Sequence, residues 1–276
     1  MELTGQQLAE TGSRFQFGEN WRRFLSVLND ERIAEAEKSL REMLAVEDLR
    51  GLSFLDIGSG SGLFSLAARR LGAARVHSFD YDPQSVACAE ELKRRYFNGD
   101  ARWTIDQGSV LDADYVRRLG QFDIVYSWGV LHHTGAMWQA LENAALPVAQ
   151  GGRLFIAIYN DQETRSRLWL RVKRFYCEGT AGKFIVPALF IPYFITGGLT
   201  KDLLRGRNPL ARYTDYKKSR GMSIVHDWLD WLGGYPFEVA RPEEIFGFYR
   251  QRGFTLDHLV TCGGGLGNNQ FVFTRR

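Results

Sequence analysis

The chain has 276 residues, of which 45% are hydrophobic and 24% charged. This composition is typical of a folded globular protein and excludes a disordered or collagen-like chain. The 35 Lys and Arg residues against 32 Asp and Glu residues give a net charge of +3, which is far below the basic excess of a protein that binds DNA along its backbone. Cys88, Cys177 and Cys262 lack the spacing of a zinc site or of a disulfide framework, so we expect no metal and a reducing, cytoplasmic environment.

The amino-terminal region is predicted to be helical. Its first twenty residues are polar and lack the apolar core of a secretory signal. Between Trp21 and Glu47 the apolar residues recur at helical intervals, which predicts two amphipathic helices. Residues 1–50 are therefore interpreted as an N-terminal helical segment.

Short apolar runs alternate with amphipathic helices over residues 51–158. The runs predict strands, and strands separated by helices indicate a parallel sheet that is covered on both faces. The predicted strands of this part are Leu52–Ile57, Arg75–Phe79, Trp103–Gln107, Phe122–Tyr126 and Gly152–Ile158.

The alternation resumes near Arg241 with one helix and two strands. The strands, Phe254–Cys262 and Gln270–Thr274, are joined by a glycine-rich turn that is too short for a parallel crossover. The last strand must therefore be antiparallel. The fold class predicted is α/β, a doubly wound and mostly parallel seven-stranded sheet built from residues 51–158 and 241–276.

Residues 159–240 interrupt this pattern and are interpreted as an inserted, mainly helical cap. The cap carries thirteen Lys and Arg residues against eight acids. Its most apolar stretch, 184–199, contains Pro187 and Pro192 and is shorter than the ~20 residues that cross a bilayer. We expect this stretch to be buried or to line a pocket, with no transmembrane segment; contact with a membrane or with a second copy in a homodimer stays open.

A glycine-rich loop follows the first predicted strand. Asp56 ends that strand, and Gly58, Gly60 and Gly62 precede a helix. Glycines permit positive φ and close approach of a ligand to the backbone, and a helix start offers N–H groups. A dinucleotide fingerprint would place its third glycine one residue later, at Leu63. The spacing therefore favours a polar ligand without a diphosphate.

This loop resembles the first motif of the class I S-adenosylmethionine-dependent methyltransferases, acid-x-Gly-x-Gly-x-Gly. The resemblance implies a Rossmann-like fold and S-adenosylmethionine as the cofactor. An acid at the end of the second strand, Asp80, matches the residue that binds the ribose in that family. The other cofactor contacts expected are Ser59, Tyr81 against the adenine, Ser109 and Val110 around the ring, and Ser127. Trp21 and Phe17 either close over the cofactor or serve as packing residues.

The acceptor side is predicted from the residues near the topological switch of the sheet. His132 and His133 follow the fourth strand and are the candidate bases for a hydroxyl acceptor, because imidazole titrates near neutral pH. A thiol acceptor needs no dedicated base. The segment lacks the Asn/Asp-Pro-Pro-aromatic motif of amino-methylating enzymes. Side chains expected to contact the acceptor are Trp128, Tyr159, His226, Trp231, Tyr235 and Asn269.

The sequence therefore predicts methyl transfer to an oxygen or sulfur nucleophile of a small molecule, with no DNA partner. Three alternatives stay open. One is an oxidoreductase that uses NAD(P), because the loop belongs to the wider class of nucleotide sites. Another is methylation of a protein or an RNA through the basic cap. The third is a binding module that kept the fold and lost its chemistry.

Overall fold

A computed structural model describes the chain at residue 21, over 24–206, at 208 and over 224–276. The first twenty residues of the expected N-terminal segment, including Phe17, lie outside the described residues. Within them the chain divides into two compact units. One contains the described residues up to Ser166 together with Glu238–Arg276, and the other contains Arg167–Phe237.

The first unit is built on a seven-stranded sheet with the order β3-β2-β1-β4-β5-β7-β6. β7 is antiparallel to both of its neighbours, and the pairs among β1 to β5 are parallel. This confirms the predicted fold class and the antiparallel last strand. The strands are β1 Ser53–Ile57, β2 Arg75–Asp80, β3 Trp103–Gln107, β4 Phe122–Trp128, β5 Val148–Tyr159, β6 Phe254–Val260 and β7 Asn268–Arg275.

Helices cover both faces of the sheet because adjacent residues of each strand point to opposite sides. Phe54 belongs to the core cluster of one face and Leu55 to that of the other. The short helix α4 was not predicted, since six residues show too little periodicity to be recognised. The helices of this unit are α1 Asp30–Leu44, α2 Leu63–Arg70, α3 Pro83–Tyr96, α4 Ala113–Arg118, α5 Met137–Ala145 and α9 Pro242–Arg250.

The second unit is helical, as expected for the insertion. α6 is Thr164–Cys177, α7 is Thr180–Leu204 and α8 is Ile224–Gly233. Lys173 of α6 is fully buried, its ammonium donates a hydrogen bond to the carbonyl of Trp231, and it lies 3.9 Å from the centroid of that indole ring. Burial lowers the pKa of Lys173 to about 7. A lysine from α6 and an indole from α8 thus form part of the interior of this unit.

The expectation that residues 184–199 are buried is wrong for most of them, although Tyr193, Thr196 and Gly197 do line a shallow groove. They lie within α7, a continuous helix of 25 residues that includes Pro187 and Pro192. Phe184 is 74% exposed and Leu189 is 65% exposed. Among the described residues α7 is the one helix long and apolar enough to cross a membrane by length and composition, and 11% of its apolar window is buried. The prolines indicated an interruption, but the helix continues on both sides of them.

Candidate active site

Five parallel strands end at one edge of the sheet. β1 ends at Ile57, β2 at Asp80, β3 at Gln107, β4 at Trp128 and β5 at Tyr159. The order of the strands reverses between β1 and β4, and open α/β sheets bind ligands in the crevice at such a switch point. The residues predicted for the cofactor and for catalysis therefore belong to neighbouring strand ends.

The loop between β1 and α2 requires its glycines. Gly58, Gly60 and Gly62 have φ values of +71°, +55° and +79°. A Cβ atom at Gly58 would lie 2.3 Å from the side chain of Val130, and one at Gly60 would lie 2.8 Å from the indole of Trp21. Both contacts are closer than real Cβ atoms tolerate. Trp21 thus packs directly on the loop.

The Asp80 carboxylate holds the tip of this loop. One of its oxygens accepts a hydrogen bond from the Gly60 N–H at 2.9 Å, and the other accepts from the Asp82 N–H at 2.9 Å. Asp82 is itself the N-cap of α3 and accepts from the Gln84 N–H. Asp82 therefore caps α3, whereas the Asp80 carboxylate binds the loop.

Asp56 lies beneath the loop in a buried chain of hydrogen bonds. The Ser65 hydroxyl donates to its carboxylate at 2.6 Å, the hydroxyls of Ser65 and Ser78 are 2.6 Å apart, and the indole of Trp103 donates to Ser78 at 2.8 Å. Burial raises the pKa of Asp56 to about 7, and the negative charge of Asp80 adds to this increase. The hydrogen bond from Ser65 opposes it.

The backbone of the loop is already hydrogen-bonded within the protein. The N–H groups of Gly58 and Ser59 both donate to the Phe79 carbonyl, at 2.9 and 3.1 Å, and the Gly62 N–H donates to the Ser59 carbonyl at 2.8 Å. With Gly60 bound to Asp80, four N–H groups that a pyrophosphate would need are satisfied internally. By contrast, the buried Ser59 hydroxyl has no hydrogen-bond partner among the residues that the structure describes. The loop therefore fits a polar ligand that carries no phosphate, and S-adenosylmethionine is such a ligand.

The segment after β3 is held in place by its own hydrogen bonds. Ser109 Oγ accepts from the Leu111 N–H at 3.2 Å, and the Val110 carbonyl accepts from the Asn143 side chain at 2.8 Å. Tyr81, after β2, is 39% exposed. Ser127 is fully buried and donates to the Ile57 carbonyl at 3.0 Å, so its hydroxyl joins β4 to β1.

The structure brings His132, His133 and Tyr159 together. The ring centroids of His132 and His133 lie 4.0 and 5.4 Å from that of Tyr159. The Tyr159 N–H donates to Nδ1 of His132 at 3.3 Å, so the neutral imidazole carries its hydrogen on Nε2. Nε2 of His132 is then a donor, and this tautomer does not accept a proton there. Burial raises the pKa of Tyr159 to about 12, which keeps the phenol neutral.

Two further acceptor candidates occupy different environments. Trp128 is 43% exposed at the end of β4, with its indole N–H bound to Gln270 at 3.2 Å. Asn269 is buried; its amide donates to Asn160 at 3.0 Å and accepts from the Cys262 N–H at 3.1 Å. Asn269 thereby holds the turn before β7 against the end of β5, whereas Trp128 presents a free aromatic surface.

Comparison with known proteins identifies part of the chain. Residues 55–154 match the sequence family described as methyltransferase domain. Over these residues the chain is therefore similar to a methyltransferase domain. The ribosomal protein L11 methyltransferase of Methylococcus capsulatus is 44% identical over 73 residues, which make up 26% of this chain and 25% of that protein. The chain thus spans about a quarter of the length of that relative.

Solved structures show the fold over a larger part of the chain. The magnesium protoporphyrin IX methyltransferase of Synechocystis, solved with bound S-adenosylhomocysteine, superimposes with a TM-score of 0.53 at 15% identity and covers 88% of this chain and 83% of its own. An O-methyltransferase family protein of Burkholderia thailandensis has a TM-score of 0.54 at 16% identity, covering 89% of this chain and 57% of its own. The methyltransferase domain therefore has the class I fold of S-adenosylmethionine-dependent enzymes.

The remaining predicted acceptor residues belong to the second unit. Trp231 packs within that unit, against Trp169 at 5.7 Å and Phe237 at 6.1 Å between ring centroids. Tyr235 is partly buried, and the side chain of His226 lies outside the described residues. Trp231 is half-buried, and this packing accounts for the covered part of its ring, so its predicted contact with an acceptor stays a prediction.

Sequence reasoning missed Glu238, which acts on the methyltransferase domain from the end of the insertion. Both of its carboxylate oxygens accept from the Met137 N–H at 3.1 Å, and its own N–H donates to the His132 carbonyl at 2.9 Å. Ala136, the N-cap residue of α5, provides no capping side chain. Because Glu238 is 101 residues away from the helix it caps, no local sequence pattern could have revealed this.

The steric requirement at Gly58 gives a first test. Gly120 also has positive φ, +79°, but a Cβ there meets nothing within 4 Å. Gly120→Ala should lower the free energy of unfolding by about 1 kcal/mol through backbone strain alone. Gly58→Ala should cost roughly 1–3 kcal/mol more, because Val130 must also move. Urea denaturation measures both, and the Gly58→Ala/Val130→Ala double variant should recover part of the difference. Equal losses at the two glycines would refute the steric argument.

The role of Asp80 can be tested by calorimetry with S-adenosylhomocysteine. Asp80→Ala should weaken binding by about 1.5–3 kcal/mol, since charge-assisted hydrogen bonds to ligand and loop are lost together. Asp82→Ala is the matched control: it removes the cap of α3 and about 1 kcal/mol of stability, with little effect on affinity. An unchanged dissociation constant in Asp80→Ala would mean that the ligand binds elsewhere.

The raised pKa of Asp56 predicts a pH dependence of stability. The folded carboxyl holds its proton up to about pH 7, whereas the unfolded one releases it near pH 4. Its contribution is therefore fully present below about pH 4 and is lost as the pH rises towards 7. Relative to Asp56→Asn, the wild type should lose stability over this interval, by on the order of a few kcal/mol.

Asp123 supplies the control with the opposite sign. Burial opposes its ionisation, but hydrogen bonds from the side chain and backbone of Ser53 outweigh this and lower its pKa. Relative to Asp123→Asn, the wild type should gain stability as the pH rises through the acidic range. Parallel pH profiles for the two Asn variants would contradict the assignment of a buried, protonated Asp56.

Proposed function

We propose that the chain transfers a methyl group from S-adenosylmethionine to an oxygen or sulfur nucleophile of a small molecule. The observation that carries this proposal is the internally hydrogen-bonded glycine loop, whose satisfied N–H groups suit a nucleoside without phosphate. The match of residues 55–154 to the methyltransferase domain supports the same cofactor.

The cofactor side of the site uses groups whose positions are already fixed. When bound, S-adenosylmethionine supplies a methyl group on a positively charged sulfur. The Asp80 carboxylate can accept from the ribose hydroxyls while it keeps the loop in shape. The ring of Tyr81 would contact the adenine, and the backbone of Ser109 and Val110 would lie beside it. The buried Ser59 hydroxyl, which has no partner among the described residues, would form a hydrogen bond with the bound ligand.

The acceptor side needs alignment more than acid–base power, because displacement from a sulfonium proceeds in line with reacting atoms ~3 Å apart. Trp128 offers an exposed aromatic surface for this purpose at the switch point. His132 and His133 remain the candidate catalytic residues. The fixed tautomer of His132 suits hydrogen-bond donation, so we assign the base for a hydroxyl acceptor to His133. A thiol acceptor ionises without it.

The insertion contributes further acceptor contacts in this proposal. It leaves the sheet after Tyr159 and returns at Ala240, and the two ends pair directly through a bridge between Asn160 and Ala240. Its chain therefore begins and ends at the edge where the cofactor strands terminate. The assignment of residues 159–240 as an acceptor-binding cap rests on this connectivity.

Binding and transfer assays test the proposal together. In calorimetric titrations, S-adenosylhomocysteine should bind with micromolar affinity, while NAD and NADP should give no measurable heat of binding. Methyl-labelled S-adenosylmethionine should then label members of a panel of phenols, carboxylates and thiols, with purified ribosomal protein L11 and RNA as further arms. Binding of NAD(P) in place of S-adenosylhomocysteine would overturn the proposal in favour of an oxidoreductase. Label found only on protein or RNA would show that the acceptor is a macromolecule and not a small molecule.

His133→Gln separates the two acceptor chemistries once a substrate is found. For a hydroxyl acceptor, loss of the base should lower kcat by roughly 10²–10⁴-fold with little change in the affinity for S-adenosylhomocysteine. A thiol acceptor should be nearly unaffected. Equal loss of kcat and of cofactor affinity would show that His133 supports the fold of the site instead of moving a proton.

A further inference from the structure

Helix α7 presents an apolar face to solvent. The exposed positions follow one another at helical spacing, so they form a continuous strip along one side of the helix. We call this strip the open face; at its centre it consists of Phe184, Ile185, Ala188, Leu189, Pro192 and Tyr193. The strip is larger than the scattered apolar side chains of an ordinary protein surface, and such patches mark binding surfaces.

The opposite side of α7 is occupied within its own unit. Phe190 and Phe194 pack on Trp169 of α6, with ring centroids 5.1 and 6.3 Å apart. Phe194 also lies 5.5 Å from Trp228 of α8. Because these aromatic contacts hold one side of the helix, only the other side is open to an apolar medium.

Positive charge surrounds the open face. Residues 167–206 contain seven Lys and Arg against two acids, Glu178 and Asp202. Asp202 is buried, and Glu178 pairs with Arg174 at 2.6 Å. The exposed cations of this region are Arg167, Arg171, Arg174, Lys183, Lys201 and Arg205.

The charges and the apolar strip are arranged along the helix axis. Lys183 and Lys201 bound an uncharged run, 184–200, that is about 25 Å long at 1.5 Å per residue. At its carboxyl end a shallow groove is lined by Tyr193, Thr200, Lys201 and Arg205, among others. Two cations beside a hydroxyl and a phenol suit an anionic headgroup at the end of an apolar strip.

We propose that the open face of α7 docks on the surface of an anionic lipid bilayer. Apolar side chains enter the boundary between headgroups and acyl chains, while the flanking Lys and Arg residues contact the anionic headgroups. The helix lies in the interface and does not span it, because its other side is packed on α6 and α8. A second copy of the chain is a poorer occupant of this face, since it would bring two basic surfaces together.

Flotation of the full-length protein with vesicles tests this proposal. The protein should float with vesicles of phosphatidylglycerol and phosphatidylcholine, and much less with phosphatidylcholine alone. Raised salt should weaken the binding. Phe184→Gln/Leu189→Gln should reduce vesicle affinity by on the order of tenfold or more. Lys183→Gln and Lys201→Gln should each reduce it about fivefold on anionic vesicles only.

Two controls keep the test independent of folding and of methyl transfer. Leu259→Gln changes an exposed apolar residue of β6, outside the second unit, and should leave vesicle binding unchanged. Each variant should bind S-adenosylhomocysteine as the wild type does. Light scattering after size-exclusion chromatography measures the molar mass and so shows whether a second copy of the chain covers the open face instead. A dimer abolished by Phe184→Gln/Leu189→Gln, or failure of the wild type to float with anionic vesicles, would overturn the proposal.

Discussion

The hydrogen bond between the Asp80 carboxylate and the Gly60 N–H is the interaction on which the proposed cofactor site depends. It spans the gap between the end of β2 and the tip of the loop after β1, and it fixes the loop in a conformation that only glycines adopt at 58, 60 and 62. With the Phe79 carbonyl it leaves few loop N–H groups for a phosphate. One carboxylate therefore shapes the loop, excludes a diphosphate by its negative charge, and still offers acceptor capacity to ribose hydroxyls.

A buried hydrogen-bond network supports the glycine loop from below, and burying the Asp56 carboxyl in this network costs stability when that carboxyl is ionised. Asp56 is desolvated and lies near Asp80, so its ionised form is disfavoured. The hydroxyls of Ser65 and Ser78 and the indole of Trp103 form a chain that ends on this carboxylate. Since every member has a partner, the network is rigid, and a positive ligand above it would draw the Asp56 carboxyl towards its charged form.

The sheet and the cofactor loop could be predicted from the sequence because both are determined locally. Buried strands are continuous apolar runs, and the loop requires glycines at fixed spacing. The errors arise where the determinant is remote. The apolar stretch 184–199 has the composition of a buried segment, and nothing local shows that α7 exposes Phe184 and Leu189. Glu238 caps α5 from the far end of the insertion, and the tautomer of His132 depends on a backbone N–H in β5.

The two ends of the insertion are both attached to the carboxyl edge of the sheet. The Asn160–Ala240 bridge and the cap from Glu238 hold both ends of the inserted chain at the carboxyl edge of the sheet. Because the ends are held close together, the entropic cost of the intervening loop grows only slowly with its length. The insertion can therefore carry a helix such as α7, with an apolar face that a compact core would bury, without disturbing the strand ends that form the cofactor site. The proposed cofactor site and the proposed membrane surface therefore depend on different residues: the first on those near the glycine loop, and the second on residues of α7 whose exposure the sheet does not determine.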